Sequence, residues 1–350
     1  MKSFTPILLS EYSTLEYFLW RKTNLVEDNI STYPLKVKEN PVKSRNLISE
    51  VEFSDGEKLF IKQGILIEDN FNSIENESKL ISLIQKESDD LSVFSLPKQK
   101  FYDEHYNIIA FEYLQTFVEF NSLFNELDNV TLPIIKSIVI KIAEELAVFH
   151  SKFSNLTITE GLIEGFPANI PLLSDITKGL IPNNIFNFNH LGLELREYNQ
   201  LFQDNVKELI EHFNSSWIEE TKNNYSLIHF DFRPHNIMVD NDKIMVVDWE
   251  MCALGDFMYD IALFINTIPI LCANSELVYD EERRVSEKEA IKIVKLFWDT
   301  YLTKRQLKND KNLINKLRIF WKIVQIRRYL KKTPTLFFEK LIDRILDNLL

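Results

Sequence analysis

Hydrophobic positions change their period several times along this chain, and the changes divide it. Between residues 10 and 22, Leu15, Phe18 and Leu19 recur at helical spacing and predict a short leading helix. From Leu35 to Gln63 the period falls to two. Leu35-Lys36-Val37-Lys38 reads as a strand, and Leu47, Ser49, Val51 and Phe53 alternate with Ile48, Glu50 and Glu52. Ser54-Asp55-Gly56 makes a hairpin turn, and Glu57 to Gln63 is the return strand. On that strand Lys62 shares the side of Phe60, opposite Leu59 and Ile61, and the alternation alone points it at solvent. Asn72 to Lys86 returns to helical spacing through Ile74, Leu80, Ile81, Leu83 and Ile84, with Glu77 projecting near the packing surface. Asn107 to Leu114 is a buried strand.

Beyond about Asn121 the pattern is almost wholly helical. Thr131 is read as the cap of a helix with Pro133 in its first turn, and residues 135, 138, 142, 146 and 149 form its apolar face. His150, at its end, reads as a packing or capping residue. Leu156 to Pro182 has clustered prolines and glycines with little periodicity, the pattern of a long surface loop that takes part in binding. Leu191 to Lys222 is helical, with Trp217 on its apolar face. Amphipathic helices follow over Glu287–Tyr301, Lys311–Lys331 and Leu336–Leu349. Mixed strands before the boundary and helices after it predict an α+β protein. Residues 1–113 would be a small antiparallel-sheet lobe with one main helix, and residues 114–350 a larger, mostly helical lobe.

One stretch interrupts the helical half. Leu227 to Phe264 is apolar except at a few polar positions of fixed spacing: His229, Asp231 and Asn236, then Asp248 twelve residues on. Asp240-Asn241-Asp242 between apolar runs is a hairpin signal, which would bring Asn236 and Asp248 to face one space. Taken singly, these residues have plainer readings, Asp231 as a structural carboxylate and Asn236 as a strand cap. Taken together they supply what phosphoryl transfer needs: a loop carboxylate to orient an attacking hydroxyl, and hard oxygen ligands for Mg2+. Lys62 would serve the α/β-phosphates if Glu77 pairs with it and fixes its position.

Composition narrows the setting. The net charge of −12 argues against general nucleic-acid binding. Two cysteines, Cys252 and Cys272, form no CxxC pair and fit a reducing cytoplasm. The N-terminus lacks the pattern of a signal peptide, and no apolar run is long enough to span a membrane, so a cytoplasmic protein without a membrane partner is expected. Charge is unevenly spread: Tyr301 to Lys332 carries eleven Lys and Arg against one acid, Asp310. This segment is either a solvated helix pairing with an acidic body or an anion site for the substrate.

The residues of Leu227–Phe264 resemble the aminoglycoside phosphotransferase family, relatives of choline kinase within the protein-kinase-like superfamily. His229, Asp231 and Asn236 match the family's His-Gly-Asp-x-x-x-x-Asn. Asp248-Trp249-Glu250 match the end of its hairpin, and Gly255-Asp256 with Asp260-Ile261-Ala262 match the motif that follows. The likeness runs from about Leu35 to Phe264 and includes the Glu-Glu-Leu-Ala-Val-Phe-His run ending at His150. It implies a bilobal protein-kinase-like fold and a kinase for a small-molecule hydroxyl, with ATP or GTP as donor and Mg2+ as cofactor. Asp231 is implied as catalytic base, Asn236 and Asp248 as metal ligands, Lys62 and Glu77 as the nucleotide-phosphate pair. The backbone at Glu112 and Leu114 would hold the purine, Ser44 and Asn46 would end the nucleotide loop, and Asp260 would brace the catalytic loop. The acidic body suits a cationic acceptor such as an amino sugar, an aminoalcohol or an antibiotic. Two departures stand out: Phe230 where the family has glycine, which would crowd the acceptor or alter the loop, and a nucleotide loop, Glu39–Asn46, without glycine. They motivate a second reading, a nucleotide-binding pseudokinase without turnover. A third is a kinase for a peptide or protein in a biosynthetic pathway. The oligomeric state is not encoded in any of these features.

Overall fold

The period-two segments pair into one sheet. The computed structural model describes residues 17, 34–40, 46–53, 56–64, 72–88, 94–125, 130–154, 225–241, 243–274, 282–330 and 344–349. Strands β1 (Pro34–Asn40), β2 (Asn46–Phe53), β3 (Lys58–Gly64), β4 (Gln99–Asp103) and β5 (Ile108–Glu112) are antiparallel in the order β1-β2-β3-β5-β4. On β2 the alternation holds: Ser49, Val51 and Phe53 are buried while Glu50 and Glu52 are less so. Val51 and Phe53 pack with Leu59, Ile61, Ile108, Ala110 and Tyr17. The β2–β3 turn closes through Gly56 N–H to the Phe53 carbonyl at 3.0 Å, with Gly56 at φ +86°, a conformation glycine adopts without steric cost. Helix α1 (Ser73–Ser88) follows, capped by Asn72, whose Oδ1 accepts from the Ile74 and Glu75 N–H groups at 3.2 Å each. It buries Ile74, Leu80, Ile81 and Ile84, and packs on β3, β4 and β5.

The remaining elements are mostly helical. Strand β6 (Val118–Glu119) leads into a 3-10 turn and then α2 (Thr131–Lys152). After the stretch 155–224 come β7 (Tyr225–Ile228), β8 (Ile237–Asp240), β9 (Lys243–Val246) and β10 (Ala253–Asp256). Helices α3 (Met258–Asn274), α4 (Glu282–Arg305) and α5 (Lys311–Leu330) complete the chain, with residues 344–347 also helical. β10 pairs with β7, and β6, β8 and β9 form a three-stranded sheet. The β8–β9 turn carries Asn241 at φ 49°. Gly255 on β10 has no room for a side chain, since a Cβ there would lie 2.7 Å from Ile228 Cδ1. α2 packs on α4, and α3 on both α4 and α5.

Two compact units result. The first comprises Met1–Leu91, Ser95–Phe117 and Met245–Met251, and the second Ser92–Phe94, Val118–Ile244 and Cys252–Leu350. The division expected from the sequence lay at 113/114; the structure carries the first unit on to Phe117 and adds a short return segment. Thr131 is not the cap of α2. The cap position is Val130, which makes no side-chain cap bond, and Thr131 is already helical, with Pro133 still in the first turn. Of the apolar face expected for α2, Ile135, Ile142, Leu146 and Phe149 are buried, while Ile138 is half-buried and its neighbour Val139 is buried. α4 starts earlier than predicted, at Glu282. The leading helix apart from Tyr17, the loop 156–182, the helix 191–222 and most of the helix 336–349 lie outside the described residues.

Helix α2 carries a carboxylate with a pH consequence. Glu145 is partly buried and its Oε2 has no hydrogen-bond partner. Burial raises its pKa to about 7, which Lys141 opposes and Glu144 assists. A folded-state value above the ordinary 4.5 means the protonated acid favours folding: the contribution is present below pH 4.5 and lost as pH rises through about 7. Glu145→Gln should therefore match the wild type at pH 4 and gain about 1 kcal/mol at pH 8, a figure reduced for partial solvent exposure. Urea denaturation at the two pH values measures the difference.

Candidate active site

The residues singled out from the sequence fall into two groups, one in each unit. In the first unit the centre is Lys62, near the end of β3. The solvent-facing orientation expected from alternation is not what the structure has: Lys62 is 6% exposed. Alternation chose the face correctly, but α1 covers that face. Lys62 Nζ donates to Glu77 Oε1 and Oε2 at 3.1 and 3.0 Å, and to Asp248 Oδ1 at 2.5 Å. Glu77, fully buried on α1, also accepts the Trp249 N–H at 3.1 Å. Burial pulls the Lys62 pKa down, but Asp248, Glu77 and Glu250 outweigh it and hold the ammonium well above its ordinary value. Burial pushes the Glu77 carboxyl up, a shift that Lys62 opposes and Asp248 reinforces.

Glu250 belongs to this group, although the sequence reading gave it no role. It accepts from Asn46 Nδ2, and its backbone carbonyl accepts from Asn76 Nδ2 at 2.7 Å. Asn46 Oδ1 in turn accepts from Ser73 Oγ at 3.2 Å. The side chain of Asn46 is thus engaged inside the protein, between the start of α1 and the turn after Asp248. Ser44 lies outside the described residues. The signal for Glu250 was its position two residues after Asp248, in a 3-10 turn (Trp249–Met251) that folds it back beside the aspartate.

The donor set suits a hard cation. One oxygen each of Glu77, Asp248 and Glu250 lie within 4.8 Å of one another. Three carboxylates against Lys62 leave surplus negative charge, which a divalent metal bound through oxygens would balance. Farther along the same unit, a cavity of about 650 Å³ borders the segment after β5, and both Glu112 and Leu114 line it with Lys58, Tyr113 and Met245.

In the second unit the organising group is Asp260, on the first turn of α3 and fully buried. Its Oδ2 accepts the His229 N–H at 2.7 Å, and its Oδ1 the Phe230 N–H at 2.9 Å. His150, at the end of α2, sits 3.3 Å from Asp260 through Nε2 and 2.8 Å from the Tyr301 hydroxyl through Nδ1. Burial lowers the His150 pKa and outweighs Asp260, so the ring is neutral near pH 7. With Asp260 as acceptor, the tautomer that fits has hydrogen on Nε2, and Tyr301 donates to Nδ1.

Asp231 and Asn236 come together. Asn236 Nδ2 donates to the Asp231 carbonyl at 2.9 Å and to Asp231 Oδ2 at 3.1 Å. Arg233 Nη2 donates to Asp231 Oδ2 at 2.7 Å, an ion pair that the motif spacing did not announce. Phe230 adopts φ 64°. The left-handed backbone that a glycine would take is therefore kept, at a strain of about 1–2 kcal/mol for a residue with a Cβ. Its ring does not lie open to solvent. It is 5% exposed and stacks on Tyr259, with centroids 4.7 Å apart and planes at 25°, an arrangement that offsets about 0.5–1.5 kcal/mol beyond the area buried.

Residues 169–277 match the model of the phosphotransferase enzyme family. No curated protein matches the chain. Among solved structures, an amicoumacin kinase in complex with AMP-PNP, Ca2+ and Ami superposes with a TM-score of 0.59 at 12% identity, over 95% of this chain and 92% of its own. A choline kinase from Cryptosporidium parvum gives 0.58 at 13% identity, over 96% and 94%. An ethanolamine kinase from Plasmodium vivax gives 0.55 at 15%, over 99% and 92%. At such identities the likeness carries the fold, and the α+β, protein-kinase-like fold expected from the motifs is the one observed.

The buried cluster of the first unit makes a direct prediction about stability. Lys62→Met strands the buried Glu77 carboxylate and should cost about 3 kcal/mol. The double variant Lys62→Met/Glu77→Leu removes both charges and should recover most of that loss. Guanidinium unfolding of the two variants and of Glu77→Leu alone gives the coupling.

Proposed function

We propose that this chain, which matches the phosphotransferase enzyme family over residues 169–277 and has a protein-kinase-like fold, transfers the γ-phosphoryl group of ATP or GTP to a hydroxyl of a small molecule, in a Mg2+-dependent reaction. The observation that carries the reading is the Lys62–Glu77–Asp248 cluster, in which Lys62 and Glu77 are buried and Asp248 is half-buried. Glu250 adds a third carboxylate beside it, with one oxygen each of Glu77, Asp248 and Glu250 within 4.8 Å of one another.

The roles follow from the chemistry of each group. Asp231, oriented by Asn236 and Arg233, receives the acceptor hydroxyl and takes its proton as the new P–O bond forms and the bond from the γ-phosphorus to the β-phosphate oxygen breaks, with the nucleoside diphosphate as leaving group. Lys62, fixed by Glu77, neutralises the α/β-phosphates. Asn236 and Asp248 would hold the Mg2+, which when bound would supply charge neutralisation at the phosphates. The backbone at Glu112 and Leu114 holds the purine, a role supported by the cavity they line. Asn46 steadies the nucleotide side through Glu250.

For the acceptor we infer a cationic small molecule, an amino sugar, aminoalcohol or antibiotic, on the strength of the net charge of −12. Among the described residues no helix is long and apolar enough to cross a membrane. Both cysteines are buried, and we infer a reducing compartment, the cytoplasm, from their sparse use in the sequence. A nucleotide-binding module without turnover is the other class of function that this fold can serve, and the test separates the two.

Thermal midpoints should rise with MgATP or MgGTP and stay level with nucleotide lacking metal. Phosphoryl transfer over a panel of amino sugars and aminoalcohols should then find an acceptor. Asp231→Asn should lower kcat at least about 100-fold with nucleotide affinity retained. Turnover that survives this substitution would remove Asp231 from its role. Stabilisation by Mg-nucleotide without any transfer or hydrolysis would favour the binding module.

A further inference from the structure

Phe230 stands directly before the proposed catalytic carboxylate, and its backbone is one that bulky residues seldom adopt. Such a conformation persists only where the surroundings over-determine it. Two contacts within the second unit do so. The Phe230 N–H is held by Asp260 Oδ1 at 2.9 Å, and the ring lies almost parallel to that of Tyr259 at 4.7 Å. Tyr259 is itself fully buried, and its ring meets the edge of Phe320 on α5 at 6.4 Å and 85°.

A glycine at this place would satisfy the backbone and the Asp260 bond without strain. It would supply no ring, and the loop would then lose the aromatic part of its attachment to α3, keeping the bonds to Asp260. The far end of the loop is tied separately, because Asn236 holds both the carbonyl and the carboxylate of Asp231. Asp231 therefore sits between an end fixed at Asn236 and an end fixed by Asp260 together with the aromatic stack.

We propose that the Phe230 ring is a positioning residue: through its stack on Tyr259 it holds the left-handed turn that aims Asp231, the task that backbone geometry alone performs where this position is glycine. The ring acts away from the acceptor, through the loop. The inference rests on the kinase reading for its effect on rate, but not for its effect on the loop.

The test uses the full chain, with MgATP as the probe and water as the acceptor, and two readouts. Phe230→Gly should lower kcat for ADP release about tenfold, leave the KM for MgATP within about twofold, and speed amide hydrogen exchange in the segment 229–236. Phe230→Tyr, which keeps the stack, should restore both, and Tyr259→Leu should reproduce the Phe230→Gly effect with no further loss in the double variant. Unchanged exchange overturns the proposal, as does faster exchange with unchanged or increased kcat, which would make the ring a packing residue or an obstruction. Asp231→Asn keeps the two questions apart. If ADP release does not depend on Asp231, the kinase reading fails, and the exchange measurement still decides whether the ring holds the loop.

Discussion

A lysine ammonium taken out of water must be matched by charge and hydrogen bonds, and in the first unit that requirement reaches nearly every element. Lys62 comes from β3, Glu77 from α1 and Asp248 from the segment after β9. Glu77 also takes the Trp249 N–H, so the turn after Asp248 is fixed by the carboxylate that fixes the lysine. The same turn is reached from β2 through Asn46 and from α1 through Asn76. This is why Met245–Met251 belongs with the sheet while the chain on both sides of it belongs with the helices. The orientation of α1 matters accordingly: its start is held by the Asn72 cap and by Ser73 bonding Asn46, which places Glu77 under the sheet.

Much of this arrangement was legible in the chain, and the parts that were not share a cause. β2, β3, α1, α2 and the β8–β9 hairpin follow from local period and turn residues, which carry their own geometry. The side of β3 that bears Lys62 followed from alternation too. What covers that side did not, because α1 arrives from later in the chain and alternation describes faces without naming their neighbours. Thr131 misled for a local reason: its residue type favours capping, but the first helical turn opens at Thr131 itself, with Val130 before it. Arg233 escaped because it acts on a neighbour two residues away, where spacing gives no periodic signal, and Glu250 because its partners Asn46 and Asn76 lie far off in the sequence. Phe230 looked like a departure in shape. Its φ shows the loop conformation kept, with a side chain in place of conformational freedom.

The two groups of polar residues are built on one device. Asp248 and Phe230 both have left-handed backbones, at φ 69° and 64°. In each case a buried carboxylate on a helix takes a backbone N–H at that place: Glu77 takes Trp249, just after Asp248, and Asp260 takes Phe230 together with His229. A left-handed residue costs about 1–2 kcal/mol, and a charge-assisted bond to a buried carboxylate contributes a comparable amount, about 1.5–3 kcal/mol. The strain therefore falls at the aspartate proposed as metal ligand and next to the aspartate proposed as base. Neither carboxylate needs to touch a substrate for its loss to matter.

Two cations of the basic segment from Tyr301 to Lys332 belong to the same support. Lys316 on α5 pairs with Asp256 at 2.5 Å, and Asp256 accepts the Met258 N–H at 3.0 Å as α3 begins. Burial raises the Asp256 pKa, and Lys316 opposes that shift. Arg305 bonds Ser151 Oγ at 3.0 Å and lies 4.8 Å over the Phe257 ring. Arg318, by contrast, reaches Asp347 at 3.4 Å. Asp256, Phe257, Tyr259 and Asp260 are consecutive or nearly so, and the last two hold the loop that carries Asp231. Lys316 and Arg305 thus act on the first turn of α3 and, through it, on how Asp260 and Tyr259 are placed.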